Sequence, residues 1–169
     1  MLLHSDIKVG LPKEENFIPL QRLDRLGVGD KVFCIGTGSI DNITKDTDDS
    51  QEYTITSNSR VTGNVQTIEL VDQSDANAWQ ERRVSLYIES SSFVYARHPY
   101  SGSFSWIGAD KMRSGYHCYT QGRHKGLTNV ITEVISTETT GSLWLDVQGV
   151  DHCFARNVKG GPVYLIREM

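Results

Sequence analysis

The chain has 169 residues, 38% of them hydrophobic and 22% charged, values of a folded globular protein that exclude wholesale disorder. Its formal net charge of −4 argues against a general-purpose nucleic-acid binder. No apolar stretch reaches the length of a membrane span. The opening Met1-Leu2-Leu3-His4-Ser5-Asp6 lacks the basic-then-apolar layout of a signal peptide, so a cytoplasmic protein without membrane contact is expected.

Residues 1–27 read as a short irregular N-terminal arm. Pro12, Pro19 and the polar run Glu14-Glu15-Asn16 interrupt it, and Leu20, Leu23 and Leu26 predict one helical turn ended by Gly27. From Val28 onward the pattern is β. Apolar runs or alternation predict strands over 31–35, 53–56, 64–71 and 83–88. In the third of these Val65 falls out of step with Ile68 and Leu70, which predicts a bulge. The acidic loop 41–52, with Asp46, Asp48 and Asp49, lacks the glycine and terminal glutamate of a calcium loop. It reads as solvated, or as an acidic surface for a basic partner.

A second series of strands is predicted over 93–96, 103–107, 116–120, 128–135, 142–147, 151–155 and 163–166. No sustained helical period follows the N-terminal turn, so the fold class is all-β. A faint repeat, Val32-Phe33-Cys34-Ile35-Gly36-Thr37-Gly38 against Tyr116-His117-Cys118-Tyr119-Thr120-Gln121-Gly122, divides the chain into two modules, 28–90 and 108–169. Residues 91–107 then form a connector or extra strands. The aromatic residues Phe93, Tyr95, Tyr100, Phe104, Trp106, Tyr116 and Tyr119 around it are expected in the core or between modules. A single larger barrel is the competing arrangement.

The three cysteines, Cys34, Cys118 and Cys153, are odd in number and sit in apolar runs, which predicts buried thiols without a disulfide. Two dipeptides, His117-Cys118 and His152-Cys153, raise the question of zinc. Neighbours in a strand point to opposite faces, and no paired ligand spacing exists, so cysteines inward and histidines outward are expected. No metal and no cofactor follow from the sequence. Nor is there a nucleophile elbow or a phosphate loop, and no catalytic residue is assigned.

Charge is uneven along the chain. Residues 97–169 carry eight basic and six acidic side chains, a net of +2, which leaves −6 for residues 1–96. The positive half contains Gly122-Arg123-His124-Lys125-Gly126-Leu127-Thr128-Asn129, a basic glycine-flanked turn between two β-runs. It resembles the KOW motif of SH3-like barrels in ribosomal proteins and transcription factors: Gly122, Lys125, Gly126 and Ile131 fall on the pattern. Asn129 stands where that family prefers a third glycine; asparagine tolerates the left-handed backbone best among the other residues. The entry Val28-Gly29-Asp30-Lys31-Val32 is similar to the start of SH3-like or Tudor-like barrels.

The resemblance implies tandem small SH3-like barrels and a non-enzymatic nucleic-acid-binding protein, with duplex DNA favoured over RNA. Arg123 and Lys125, with His124, would meet phosphates, helped by Lys111, Arg113, Arg156 and Lys159. The chain also looks like the MotB-type transcription-modifier early proteins of T-even-type phages, which implies a role in transcription, in a host cytoplasm, beside a host transcription or nucleoid protein. The alternative is a protein–protein adaptor or inhibitor that uses the same barrels and the acidic loop.

Overall fold

The computed structural model describes residues 2–4, 7–9, 21–36, 40, 43, 50–72, 84–119, 128–131, 133–139, 142–157 and 160–168. These residues form strands and two short 3₁₀ turns, with no α-helix among them, so the all-β class holds. The acidic loop is described only at Ile43, Ser50, Gln51 and Glu52.

The described residues of the N-terminal segment form strands rather than an irregular arm. They supply β1 (Leu2–His4), β2 (Ile7–Val9) and β3 (Gln21–Arg22). The helical turn expected near Leu23 is a 3₁₀ turn, Leu23–Arg25. A tight turn then opens β4 (Lys31–Ile35). Gly29 has a φ of 92°, its N–H donates to Ile55 O at 2.9 Å, and the Ile55 N–H returns to Asp30 O at 2.9 Å. A side chain at Gly29 would strain that left-handed backbone.

Next come β5 (Ser50–Arg60), β6 (Val65–Asp72), β7 (Val84–Glu89), β8 (Phe93–Arg97) and β9 (Ser105–Gly108). They lie on predicted strands, though β5 is far longer than its alternating stretch. The run predicted over 128–135 is divided after β10 (His117–Tyr119) into β11 (Thr128–Val130) and β12 (Glu133–Thr139). At the division the Ile131 N–H donates to Tyr116 O at 2.8 Å and its carbonyl accepts from Gly115 N–H at 2.7 Å. Those bonds keep β11 with β10, while β12 pairs with β6 in the other sheet. β13 (Ser142–Val147), β14 (His152–Asn157) and β15 (Gly160–Arg167) complete the chain.

One sheet runs β12-β6-β7-β1-β13-β5-β4, and the other β11-β10-β8-β15-β14-β2-β3, with β9 added beside β8. Both are open, and this corrects the tandem SH3-like barrels. Strands expected in separate modules pair with one another: β5 with β13, and β6 with β12. The N-terminal segment serves both sheets, with β1 between β7 and β13 and β2 between β14 and β3. A local repeat carries no information about which distant strand edge a segment will satisfy, and here the long-range edges decided the topology.

The bulge expected in β6 is also absent. Its register against β7 and β12 is unbroken, and Thr67, Ile68, Glu69, Leu70 and Val71 are all buried. The irregular apolar pattern reflects cover on both faces of a central strand rather than an inserted residue. Register shifts occur instead in β13 at Asp146/Val147 and in β14 at Ala155/Asn157.

Two apolar clusters hold the molecule together. The larger lies between the sheets, joining Val32 and Cys34 of β4, Leu86 and Ile88 of β7, and Val94, Cys118, Cys153, Ala155 and Ile166 of the second sheet. The smaller covers the other face of that second sheet with Ile35, Ile40, Ile43, Tyr95, Tyr119, Phe154 and Leu165, backed by Phe104 and Trp106. Tyr95 is the hub of its aromatic packing, 5.1 Å from Trp106, 5.6 Å from Tyr119 and 5.7 Å from Phe104 between ring centroids. Tyr95, Phe104, Trp106, Tyr116 and Tyr119 take the expected core role. Tyr100 is the exception, being fully exposed.

Phe154 is wholly buried in the smaller cluster. Phe154→Ala is expected to cost about 3–5 kcal/mol, against roughly 0.5 kcal/mol or less for Val28→Ala at the exposed turn. Urea unfolding followed by tryptophan fluorescence measures both.

Candidate functional site

The basic residues singled out by sequence do not form a described site. Gly122, Arg123, His124, Lys125, Gly126 and Lys159 lie outside the described residues. Asn129 sits in β11 opposite Cys118. Lys111 and Arg113 are exposed at the 3₁₀ turn after β9, where Arg113 Nη1 donates to the carbonyls of Asp110 (3.2 Å) and Met112 (2.7 Å). Arg156 belongs to β14, opposite Lys8 of β2, and its buried Nε has no hydrogen-bond partner among the described residues.

The chemistry-bearing side chains converge elsewhere, where β4 meets β14 and β15. The sequence expectation placed His152 outward, but it is completely buried. β14 has β15 and β2 at its edges and packs on β4, and all four residues from His152 to Ala155 are buried. Cys153 and Ala155 face the inter-sheet core, and Phe154 faces the smaller cluster. His152 shares that second side, so alternation along the strand no longer separates core from solvent. His117 behaves more nearly as expected: it is half-buried, and burial together with the Arg97 charge lowers its pKa.

Every polar atom of the His152 ring has a partner. Nε2 lies 2.7 Å from the Ile35 carbonyl oxygen at the end of β4, and Nδ1 lies 3.1 Å from Oδ1 of Asp151. The second carboxylate oxygen of Asp151 accepts from Arg167 Nε at 2.8 Å, and the Asp151 backbone carbonyl accepts from the Glu168 N–H at 2.9 Å. Arg167 also lies over the Trp106 ring, 5.6 Å from its centroid. Burial works to raise the Asp151 carboxyl, but the hydrogen bonds and charges of His152 and Arg167 outweigh it and hold the group below the usual carboxylate range.

Two thiols border this chain of contacts. Cys34 Sγ–H donates to the His152 carbonyl at 3.5 Å. Burial pushes the Cys34 thiol up to about 12, with only a partial offset from the Phe154 backbone. Cys153 is raised well above the usual thiol value by burial, with Cys34 adding to the rise. All three cysteines are buried and none is in a disulfide, as expected. The thiolate is the nucleophilic form, so Cys34 and Cys153 are packing groups in this state.

Beside the chain of contacts lies a cavity of about 470 Å³, lined by Asp146, Val150, Asp151, Arg167 and Glu168 among others. Among the described residues no group of three or more His, Cys, Asp or Glu side chains is placed to hold a metal ion. The sequence reading missed Asp151, His152 and Arg167 as a group. The one local signal was a histidine directly before the compact run Cys153-Phe154-Ala155, where adjacent apolar residues denote a strand covered on both faces.

No protein-family model matches the chain, and no curated protein sequence matches it significantly. Solved structures do. An intein-like domain from Clostridium thermocellum aligns with a TM-score of 0.61 at 12% identity, over 99% of this chain and 98% of that one. A DnaB intein from Synechocystis gives a TM-score of 0.62 at 9% identity, over 99% of each chain. A variant of the Ssp DnaB mini-intein gives 0.59 at 10% identity, over 99% of this chain and 94% of that one. The chain therefore shares the fold of intein domains, and at these identities the likeness concerns the fold alone.

That finding corrects the reading built on the KOW-type turn. The similarity to KOW proteins and to MotB-type phage early proteins, and the DNA-binding role in transcription drawn from it, required SH3-like barrels that the chain does not form. The adaptor alternative rested on the same barrels and is not favoured either. The expectation of a non-enzymatic protein is corrected as well, since it rested on those barrels and the solved structures that share this fold are inteins and an intein-like domain. No described helix is long and apolar enough to cross a membrane.

Two outcomes follow from the site. In the folded protein Cys34 and Cys153 should resist a thiol reagent at neutral pH and react fully in denaturant; rapid labelling of either in native buffer contradicts their burial. Asp151 has a lowered folded pKa, so its contribution to stability is complete above the unfolded value of about 4 and is lost as pH falls through the folded value. The urea midpoint of the parent should thus drop more steeply below about pH 4 than that of Asp151→Asn.

Proposed function

We propose that this chain is an intein-like self-processing domain, acting on polypeptide backbone at the joint of β4, β14 and β15. The observation that carries the reading is the alignment with intein-like domains along nearly the whole length of both chains. The local geometry suits the chemistry. Rearranging or cleaving a peptide bond requires a donor that polarises the carbonyl and a proton for the departing amine. His152 Nε2 already contacts a peptide carbonyl, that of Ile35, at 2.7 Å, in a pocket closed to solvent. The ring is therefore placed to donate to backbone, and low local polarity strengthens that donation.

Cys34 and Cys153 stay protonated and take no nucleophilic part in this state. His152 is assigned the role of proton donor to a peptide group at this joint.

The test places reporter proteins before residue 1 and after residue 169 and follows the products by mass spectrometry, with and without added thiol. Cleaved or ligated reporters are expected from the parent. His152→Ala should slow their appearance by roughly 10²–10⁴-fold, the usual contribution of a positioned acid–base group. Fusions that remain intact under both conditions overturn the reading.

A further inference from the structure

Among the described residues, β12 is the longest strand at the end of either sheet. β3 and β11, which close the second sheet, have two and three residues, and β4, at the far end of the first, packs onto β14. β12 has seven residues, Glu133-Val134-Ile135-Ser136-Thr137-Glu138-Thr139, and pairs with β6 without a break in register. It carries none of the usual guards of a sheet edge: no proline, no lysine and no bulge.

Which backbone groups face away from β6 follows from the strand beyond it. The Ser90 N–H donates to Gln66 O at 3.0 Å, so Gln66 turns its backbone toward β7. Backbone direction alternates along a strand, so Ile68 and Leu70 also turn to β7, and Thr67, Glu69 and Val71 turn to β12. Their partners there are Thr137, Ile135 and Glu133. Val134, Ser136 and Glu138 therefore present their backbone N–H and C=O groups at the outer edge, where no further strand lies among the described residues.

We infer that this edge is a self-association surface: β12 of one copy pairs antiparallel with β12 of a second copy about a two-fold axis at Ser136, joining the two first sheets into one. Ser136 is the middle residue of the strand, so this register uses its full length. The axis sets Ser136 against Ser136 and Val134 against Glu138. All of these are outward-facing, so each pair exchanges both backbone hydrogen bonds. It also sets Glu133 against Thr139 and Ile135 against Thr137, a β-branched cross-strand pair. No carboxylate stands directly opposite another. The Ser136 side chain is small and exposed and leaves room for the close approach. One strand edge covers less surface than a permanent dimer needs, so the association is reversible and emerges as the chain is concentrated. Each copy has a formal charge of −4, and salt that screens this repulsion favours the pair.

The inference does not depend on the self-processing reading, and its test uses the full chain. Sedimentation velocity from micromolar to millimolar concentration should show the mass rising from one chain to two, at lower concentration as salt is raised. Amide hydrogen exchange reads the edge residue by residue. In dilute protein the Ile135 and Thr137 amides should exchange slowly and those of Val134, Ser136 and Glu138 fast; the fast set should slow as the dimer forms. Ser136→Pro removes an outward N–H and no bond to β6, so it should abolish the dimer and keep the fold. Ser136→Lys sets two lysines opposite one another and should weaken association at least about tenfold. Both variants should unfold near the parent's urea midpoint.

A parent that stays monomeric throughout overturns the inference. So do outward amides already protected in dilute protein, since the edge would then be occupied within the chain. Association that survives Ser136→Lys undiminished, or that weakens as salt is added, places the contact elsewhere and overturns it as well. Should Ser136→Pro fail to fold, Ser136→Lys alone decides.

Discussion

The arrangement depends on a strand with no solvent face. β14 is flanked by β15 and β2, packs on β4, and buries every residue from His152 to Ala155. A polar ring on such a strand is tolerated only if each of its nitrogens finds a partner, because an unmet buried hydrogen-bonding group costs on the order of 1–3 kcal/mol. The Ile35 carbonyl and the Asp151 carboxylate meet that requirement. The same contacts tie β4 to β14 and bring in Arg167 from β15. Structure and candidate chemistry therefore share one set of hydrogen bonds.

The N-terminal segment explains how two open sheets become one body. β1 lies inside the first sheet between β7 and β13, and β2 lies in the second beside β14, with only residues 5 and 6 between them in sequence. A short crossing of this kind requires the sheets to stay in register, and the apolar layer between them supplies the cohesion. The second sheet is covered again on its far side by the cluster around Tyr95 and Phe154. β14 and β15 are thus enclosed from both directions, which keeps water from the His152 ring while the cavity at Asp151 and Arg167 remains open beside it.

Electrostatics at the joint separate two kinds of ionisable group. The thiols of Cys34 and Cys153 are buried, and desolvation raises both and keeps them neutral. Asp151, at the edge of the same region, gains hydrogen bonds from a histidine and an arginine and stays ionised. Environment rather than residue type sets these states: desolvation disfavours charge everywhere, and only Asp151 has partners strong enough to overcome it.

The sequence by itself determined the β-class and the position of most strands, because alternation and apolar runs are local consequences of a pleated backbone. It also determined the burial of the three cysteines, whose apolar neighbours travel with them. It did not determine the pairing. β5 with β13 and β6 with β12 are contacts between residues far apart in the chain, and a local resemblance such as the Cys34 and Cys118 segments says nothing of them. Nor did it give the strands at 2–4 and 7–9, which have too few residues to show a period and owe their form to the edges they fill. The site was legible only as a histidine in an unusually apolar run. That His152, Asp151 and Arg167 form one line was decided by tertiary structure, since Arg167 comes from the next strand and the Ile35 carbonyl from the opposite end of the chain, and only the packing of β14 between them closes the distance.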